Sequence, residues 1–129
     1  FQAPQENEPE LVIVKLGTTD SRPQNWDRYG VEFEANLREL LTISRDLPSR
    51  PRVYVCYPVC AVDDTFGIRE SVIATEIIPT IFRVATELGV SIIDLHTTLY
   101  GMPQLLPDKI HPNPLGYVLV AREVYDRVK

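Results

Sequence analysis

Leu11-Val-Ile-Val-Lys-Leu16, closed by Gly17, is the stretch on which the fold turns. A short apolar run rich in β-branched residues and stopped by glycine reads as a buried strand. Two later stretches repeat the pattern: Arg52–Tyr57 (RVYVCY), stopped by Pro58, and Val90–Leu95 (VSIIDL). Between the first two, after a polar loop from Thr18 to Tyr29, Phe33, Leu37, Leu40 and Leu41 recur at helical spacing with charged residues between them. That pattern predicts an amphipathic helix closed before Pro48. A second apolar-periodic segment, Ile68 to Leu88, is interrupted by Pro79. Proline is tolerated in a first helical turn and costly inside a helix. The segment therefore divides into a short helical piece before Ile78 and a helix from Pro79 to Leu88, stopped by Gly89. Asn113 followed by Pro114 marks a last helix start, with Tyr117, Ala121, Val124 and Val128 as its expected buried face.

Strand and helix alternate three times. Such alternation implies a parallel sheet covered by helices, with right-handed crossovers. Ligand sites in such sheets lie beyond the carboxyl ends of the strands. The polar groups Gly17–Ser21, Asp63–Asp64 and Asp94–His96 all fall there.

The chain has 129 residues, 44% of them hydrophobic and 24% charged, within the ordinary globular range and the size of one domain. A net charge of -5 argues against a nucleic-acid-binding surface. No apolar run approaches the roughly 18–20 residues of a membrane span. Two cysteines, Cys56 and Cys60, build neither a disulfide framework nor a zinc site. Three strands make a narrow sheet, and an apolar first strand with one open edge invites pairing. Phe1 stands where a methionine is usual, and Met102 is the sole methionine. Strand count and start together give the expectation that residues 1–129 are the C-terminal portion of a single larger domain. Its partner at the open sheet edge would be a missing N-terminal segment or a second chain.

Two segments carry the chemistry. In Leu106-Pro-Asp-Lys-Ile-His111-Pro-Asn-Pro-Leu-Gly116, Asp108 and His111 lie three apart in a proline-bounded loop. That spacing lets a carboxylate reach the near nitrogen of an imidazole, the base-and-orienter half of a hydrolytic triad. A plainer reading has His111 capping the next helix and Asp108 in solvent. In Gly17-Thr-Thr-Asp-Ser-Arg-Pro-Gln-Asn-Trp26, the glycine admits close backbone approach and the hydroxyls add donors. The same residues also suit an ordinary strand-to-helix turn.

Together these segments resemble the SGNH hydrolase family, the GDSL-type esterases. The family's third block, Gly-x-Asn-Asp, appears as Gly17-Thr18-Thr19-Asp20, and its fifth, Asp-x-x-His, as Asp108-Lys109-Ile110-His111. The fuller stretches LVIVKLGTTDSRPQNW, IDLHTTL and LPDKIHPNPLG are similar to the carbohydrate O-acetylesterase branch, including sialate O-acetylesterase-like proteins. The resemblance implies a three-layer α/β/α flavodoxin-like fold with a parallel sheet, here lacking its first strands. It implies a serine ester hydrolase acting on acylated carbohydrate, secreted or periplasmic, with no metal and no cofactor. His111 would be the general base, Asp108 its orienter, and Gly17 and Thr19 part of the oxyanion and substrate wall.

Two departures stand out. Thr19 replaces the family's oxyanion asparagine; losing one such donor typically costs about 2.7–4 kcal/mol of transition-state stabilisation. The Gly-Asp-Ser block that holds the nucleophile, and the glycine block after it, match nothing in this chain and would lie upstream of Phe1. Ser21, in Thr-Asp-Ser, sits after the third-block strand and is a poor substitute. A catalytically degenerate carbohydrate-binding or interaction module is the alternative reading.

Other residues keep two readings. His96 would join Asp108 and His111 as metal ligands, or serve with Asp94 as a hydrogen-bonded strand-end group. Cys60 is a free thiol, or a disulfide partner of Cys56 if the loop folds back. Trp26 and Tyr29 stack on a sugar face or cover the core edge.

Overall fold

The structure is a computed structural model and describes residues 8–129. The lead-in expected at residues 1–10 falls mostly outside them. Three parallel strands, β1 (Leu11–Lys15), β2 (Arg52–Tyr57) and β3 (Ser91–Asp94), lie in the order β1-β2-β3. Val14 pairs with Val55 and Tyr57 with Asp94, so all three strands point the same way and their carboxyl ends share one rim.

The helices are α1 (Pro23–Arg45), α2 (Glu70–Val72), α3 (Ile78–Leu88), α4 (Leu95–Leu99) and α5 (Pro114–Val128). Alternate strand residues split the core in two. Val14 and Val55 join Phe33, Leu37 and Leu41 of α1 and Ile81 and Val84 of α3 on one face. Cys56 and Ile93 meet Leu95 and Leu99 of α4, with Leu119, Val120 and Val124 of α5 packed alongside, on the other. Helices therefore cover both faces of a parallel sheet, the three-layer architecture expected from the strand-helix alternation.

Several boundaries differ from the sequence reading. α1 begins at Pro23, inside the stretch read as a loop, because Pro23 occupies the first helical turn. Gly30 within it lets the Trp26 ring lie back along the helix, since a Cβ there would stand 3.0 Å from that ring. Pro79 is accommodated by a π-helical turn, Ile73–Ile77, which joins α2 to α3. Gly89 closes α3 in the left-handed conformation with φ 68°. Leu95 belongs to α4 rather than to β3, because the Asp94 carboxylate accepts from the Thr97 backbone N–H and starts a helix there.

The expected buried face of α5 is half right. Val124 and Val128 pack on the core, but Tyr117 and Ala121 are exposed. Helix α5 carries two adjacent stripes. Val120 and Val124 pack on the sheet and Gly116 is buried, whereas Tyr117, Ala121 and Tyr125 are exposed. On the same side Ile13 of β1 is 40% exposed. Helical spacing alone does not say which stripe meets the sheet. Among the described residues β1 pairs only with β2, leaving its other edge open.

Candidate active site

Two loops at the strand-end rim build the site. After β1, Gly17 turns the chain at φ 122°, and a Cβ there would stand 2.9 Å from Ile77 Cγ2 and 3.0 Å from Pro58 Cγ. Only glycine combines that backbone conformation with that close approach. Thr18 and a 3-10 turn, Thr19–Ser21, follow. The second loop, residues 106–113, leads into α5. Its end is fixed by Asn113, whose Oδ1 accepts from Gly116 N–H at 2.9 Å. Gly116 itself is buried, and a Cβ there would stand 2.8 Å from Pro112 Cβ. The proline-asparagine-glycine spacing is thus the packing requirement of the turn. Helix capping falls to Asn113, which leaves the His111 ring available.

Within this loop the Asp108 carboxylate does three things at once. Its Oδ1 accepts the backbone N–H of Ile110 at 2.9 Å and of His111 at 2.6 Å. Its Oδ2 lies 2.6 Å from His111 Nδ1. The backbone N–H of His111, then the His111 ring, then the Ile110 N–H hold the Asp108 carboxyl down to about 2. An ionised carboxylate at Nδ1 assigns the ring proton to that nitrogen and leaves Nε2 as the free acceptor. The Asp108 chain turns so tightly because Lys109 adopts φ 72°, a left-handed conformation uncommon outside glycine.

The His111 side chain is 69% exposed. It borders a cavity of about 200 Å³ whose wall includes Lys15, Thr18, Thr19, Ile110 and Tyr117. The strand-end loop and the Asp108–His111 turn, some ninety residues apart in sequence, therefore meet at one cavity. Gly17 is not part of that wall; it packs against Ile77 and Pro58 one residue behind it. Lys15 and Tyr117 are cavity residues that the sequence reading missed. The signal for Lys15 was a lone charge inside an otherwise apolar strand. Tyr117 had none, because its spacing also fitted a core position.

The remaining candidates fall elsewhere. Ser21 is fully buried; its hydroxyl donates to Thr18 O at 2.8 Å and accepts from Arg69 N–H at 3.0 Å. That is a structural serine tying the loop to residue 69, away from solvent. His96 is held by Glu70, with Nε2 at 2.9 and 3.0 Å from the two carboxylate oxygens, so it does not join Asp108 and His111. Among the described residues no group of three or more His, Cys, Asp or Glu is placed to hold a metal. Cys56 and Cys60 are both buried and free, and burial pushes the Cys56 thiol up to about 11. Trp26 packs edge-to-face on Phe33 at 5.6 Å. With Tyr29 and Asp20 it borders a second cavity of about 330 Å³ beside α1, which the His111 turn does not reach. Burial raises the Asp20 carboxyl there.

Comparison with known proteins gives four matches. Residues 1–119 match the sequence profile of the GDSL-like lipase/acylhydrolase family. An acetylxylan esterase of Xylanibacter ruminicola is 34% identical over 94% of this chain, which spans only 29% of that protein. Among solved structures, the acetyl xylan esterase AlAXEase superposes with a TM-score of 0.75 at 19% identity, over 96% of this chain and 69% of its own. A protein of Agrobacterium tumefaciens assigned as an arylesterase superposes with a TM-score of 0.74 at 21% identity, over 95% of this chain and 61% of its own. At these identities the two structures establish a shared fold. No helix among the described residues is long and apolar enough to cross a membrane.

Proposed function

The chain belongs to the GDSL-like lipase/acylhydrolase family, and from that premise we propose that it forms the base-bearing part of a serine esterase that removes acetyl groups from sugars. The observation that carries this reading is the Asp108–His111 pair, with Oδ2 and Nδ1 2.6 Å apart and His111 bordering the cavity that Thr18 and Thr19 also line.

In this reading His111 Nε2 takes the proton of a serine as its oxygen attacks the acetyl carbonyl, then returns that proton to the departing sugar hydroxyl. Asp108 keeps Nδ1 protonated and stabilises the imidazolium formed in each half-reaction. The Thr19 hydroxyl donates to the developing oxyanion. Water then enters by the same route and frees acetate. The acetyl-sugar preference is drawn from the acetylxylan esterase relative, and it goes with a secreted or periplasmic setting where such polymers are met.

The nucleophile comes from outside these 129 residues. Ser21 is buried and committed to two backbone partners. The side of β1 that would receive another segment is the one left open among the described residues, and Ile13 beside it and Tyr117 and Tyr125 of α5 are exposed. Topology adds a reason. Strands added in line with β1, β2 and β3 would place their crossover helix over α1's face. Ile13, which pairs with Tyr54 on α5's face of the sheet, is 40% exposed, so a crossover helix that covers it requires the added chain to reverse its direction across the sheet at β1. Such a switch point is where open α/β sheets hold their ligands, and it adjoins the His111 cavity. Residues 1–129 are then the C-terminal portion of one domain, completed at the β1 edge by an upstream segment of the same polypeptide.

One feature favours a second reading, a carbohydrate-binding module without turnover: Thr19 stands where the family's asparagine is expected. Hydrolysis of 4-nitrophenyl acetate and of acetylated xylo-oligosaccharide separates the two. The chain joined to an upstream Gly-Asp-Ser segment should turn over, and His111→Ala should lower kcat by roughly 10³-fold or more. Binding of the oligosaccharide without hydrolysis in the joined protein supports the module. Full hydrolysis by residues 1–129 alone refutes the upstream nucleophile.

A further inference from the structure

The Asp108–His111 turn is held from behind by a chain of contacts that no catalytic step uses. The Val62 backbone N–H donates to Lys109 O at 2.9 Å, tying the loop after β2 to the tip of the turn. One residue earlier, the Ala61 N–H donates to Glu70 Oε1 at 2.9 Å. His96 Nε2 bridges both oxygens of that same carboxylate, and its ring stacks on Tyr100 at 5.9 Å between centroids. Glu70 and His96 are mostly buried, with side-chain exposures of 23% and 14%. A half-buried carboxylate that accepts from both a backbone amide and a fixed imidazole has little rotational freedom. The Cys60 thiol beside it is pushed up by burial and then by the Glu70 charge.

We propose that Glu70, oriented by His96, is a positioning residue for the Asp108–His111 pair, acting through the rigid step Ala61–Val62 on the carbonyl of Lys109. The inference rests on reading that pair as the catalytic base. Lys109 carries a left-handed backbone with φ 72°. An uncommon conformation of this kind persists where its surroundings hold it.

The test uses the 129-residue chain and needs no ester hydrolysis, so it stands apart from the fate of the esterase reading. Two readouts are followed by NMR: exchange of the Val62 amide and titration of the Asp108 carboxyl. In Glu70→Ala the Val62 amide should exchange about tenfold faster or more. The Asp108 midpoint should climb from about 2 toward the ordinary value of about 3.9. Glu70→Gln keeps an acceptor for Ala61 N–H and should stay near wild type in both. His96→Ala serves in place of Glu70→Ala should that variant not fold. Leu41→Ala, destabilised on the opposite face of the sheet, is the control. The proposal is overturned if the folded variant leaves both readouts unmoved, or if Leu41→Ala moves them equally.

Discussion

Gly17→Ala should be one of the most damaging single-methyl additions available to this protein, and the structure gives the reason in two parts. The residue sits at φ 122°, where an L side chain is strained; holding it there costs about 1–3 kcal/mol. The new Cβ would also stand 2.9 Å from Ile77 Cγ2 and 3.0 Å from Pro58 Cγ. Both neighbours are fully buried and packed into the sheet, so neither side chain can swing away. Overpacking of this kind adds about 1–3 kcal/mol. The stiffer unfolded chain offsets about 0.4–1 kcal/mol. The net expectation is a loss of about 1–5.5 kcal/mol, a large part of the roughly 5–15 kcal/mol typical of a domain. Urea unfolding followed by far-ultraviolet circular dichroism measures it, and the midpoint should fall with little change in slope. A double-mutant cycle with Ile77→Ala separates the two parts, because that change removes Cγ2 but leaves φ as it is. Coupling of about 0.5–3 kcal/mol assigns the loss to the contact. A loss below about 1 kcal/mol in the single variant would refute the whole argument.

Three further outcomes are expected. Asp108 is held down to about 2 in the folded chain against about 3.9 unfolded, so it favours folding above about pH 3.9, and that contribution is lost as pH falls toward 2. Asp108→Asn should flatten this part of the acid dependence in urea titrations run from pH 5 to pH 2, and an unchanged profile would contradict the assignment. Asn113→Ala removes the acceptor for Gly116 N–H at 2.9 Å and should lower stability by about 1 kcal/mol, read by the same unfolding assay. Cys56, with its thiol pushed up to about 11, and buried Cys60 should resist alkylation at pH 8 until the chain is unfolded in urea; rapid labelling of the native protein would count against the burial of β2 at Cys56 or of the loop after it at Cys60.

The strands were legible because their apolar runs are short, β-branched and closed by Gly17, Pro58 or a polar turn. α3 was legible through Gly89 and α5 through Asn113-Pro114, where capping chemistry is local. The early start of α1 was not, since residues 23–32 face the solvent and the second cavity more than the core and show little periodicity. α4 was hidden because Asp94 reads equally as the last residue of a strand and as a cap. The wrong half of the α5 face followed from two apolar stripes, and the choice between them is made by what lies against the helix.

The alternation of strands and helices and the Asp108-x-x-His111 turn are written along the chain, because each strand, cap and turn depends on neighbours within a few residues, and the family follows from two such local blocks taken together. That this turn meets Thr18 and Thr19 at one cavity, with Lys15 and Tyr117 in its wall, follows only from how the chain packs. Packing likewise buries Ser21, pairs His96 with Glu70 rather than with His111, and, among the described residues, leaves the β1 edge and one stripe of α5 open. Those outcomes depend on which loops the parallel sheet brings to one rim and on which face of it each helix crosses, and no spacing along the chain encodes either.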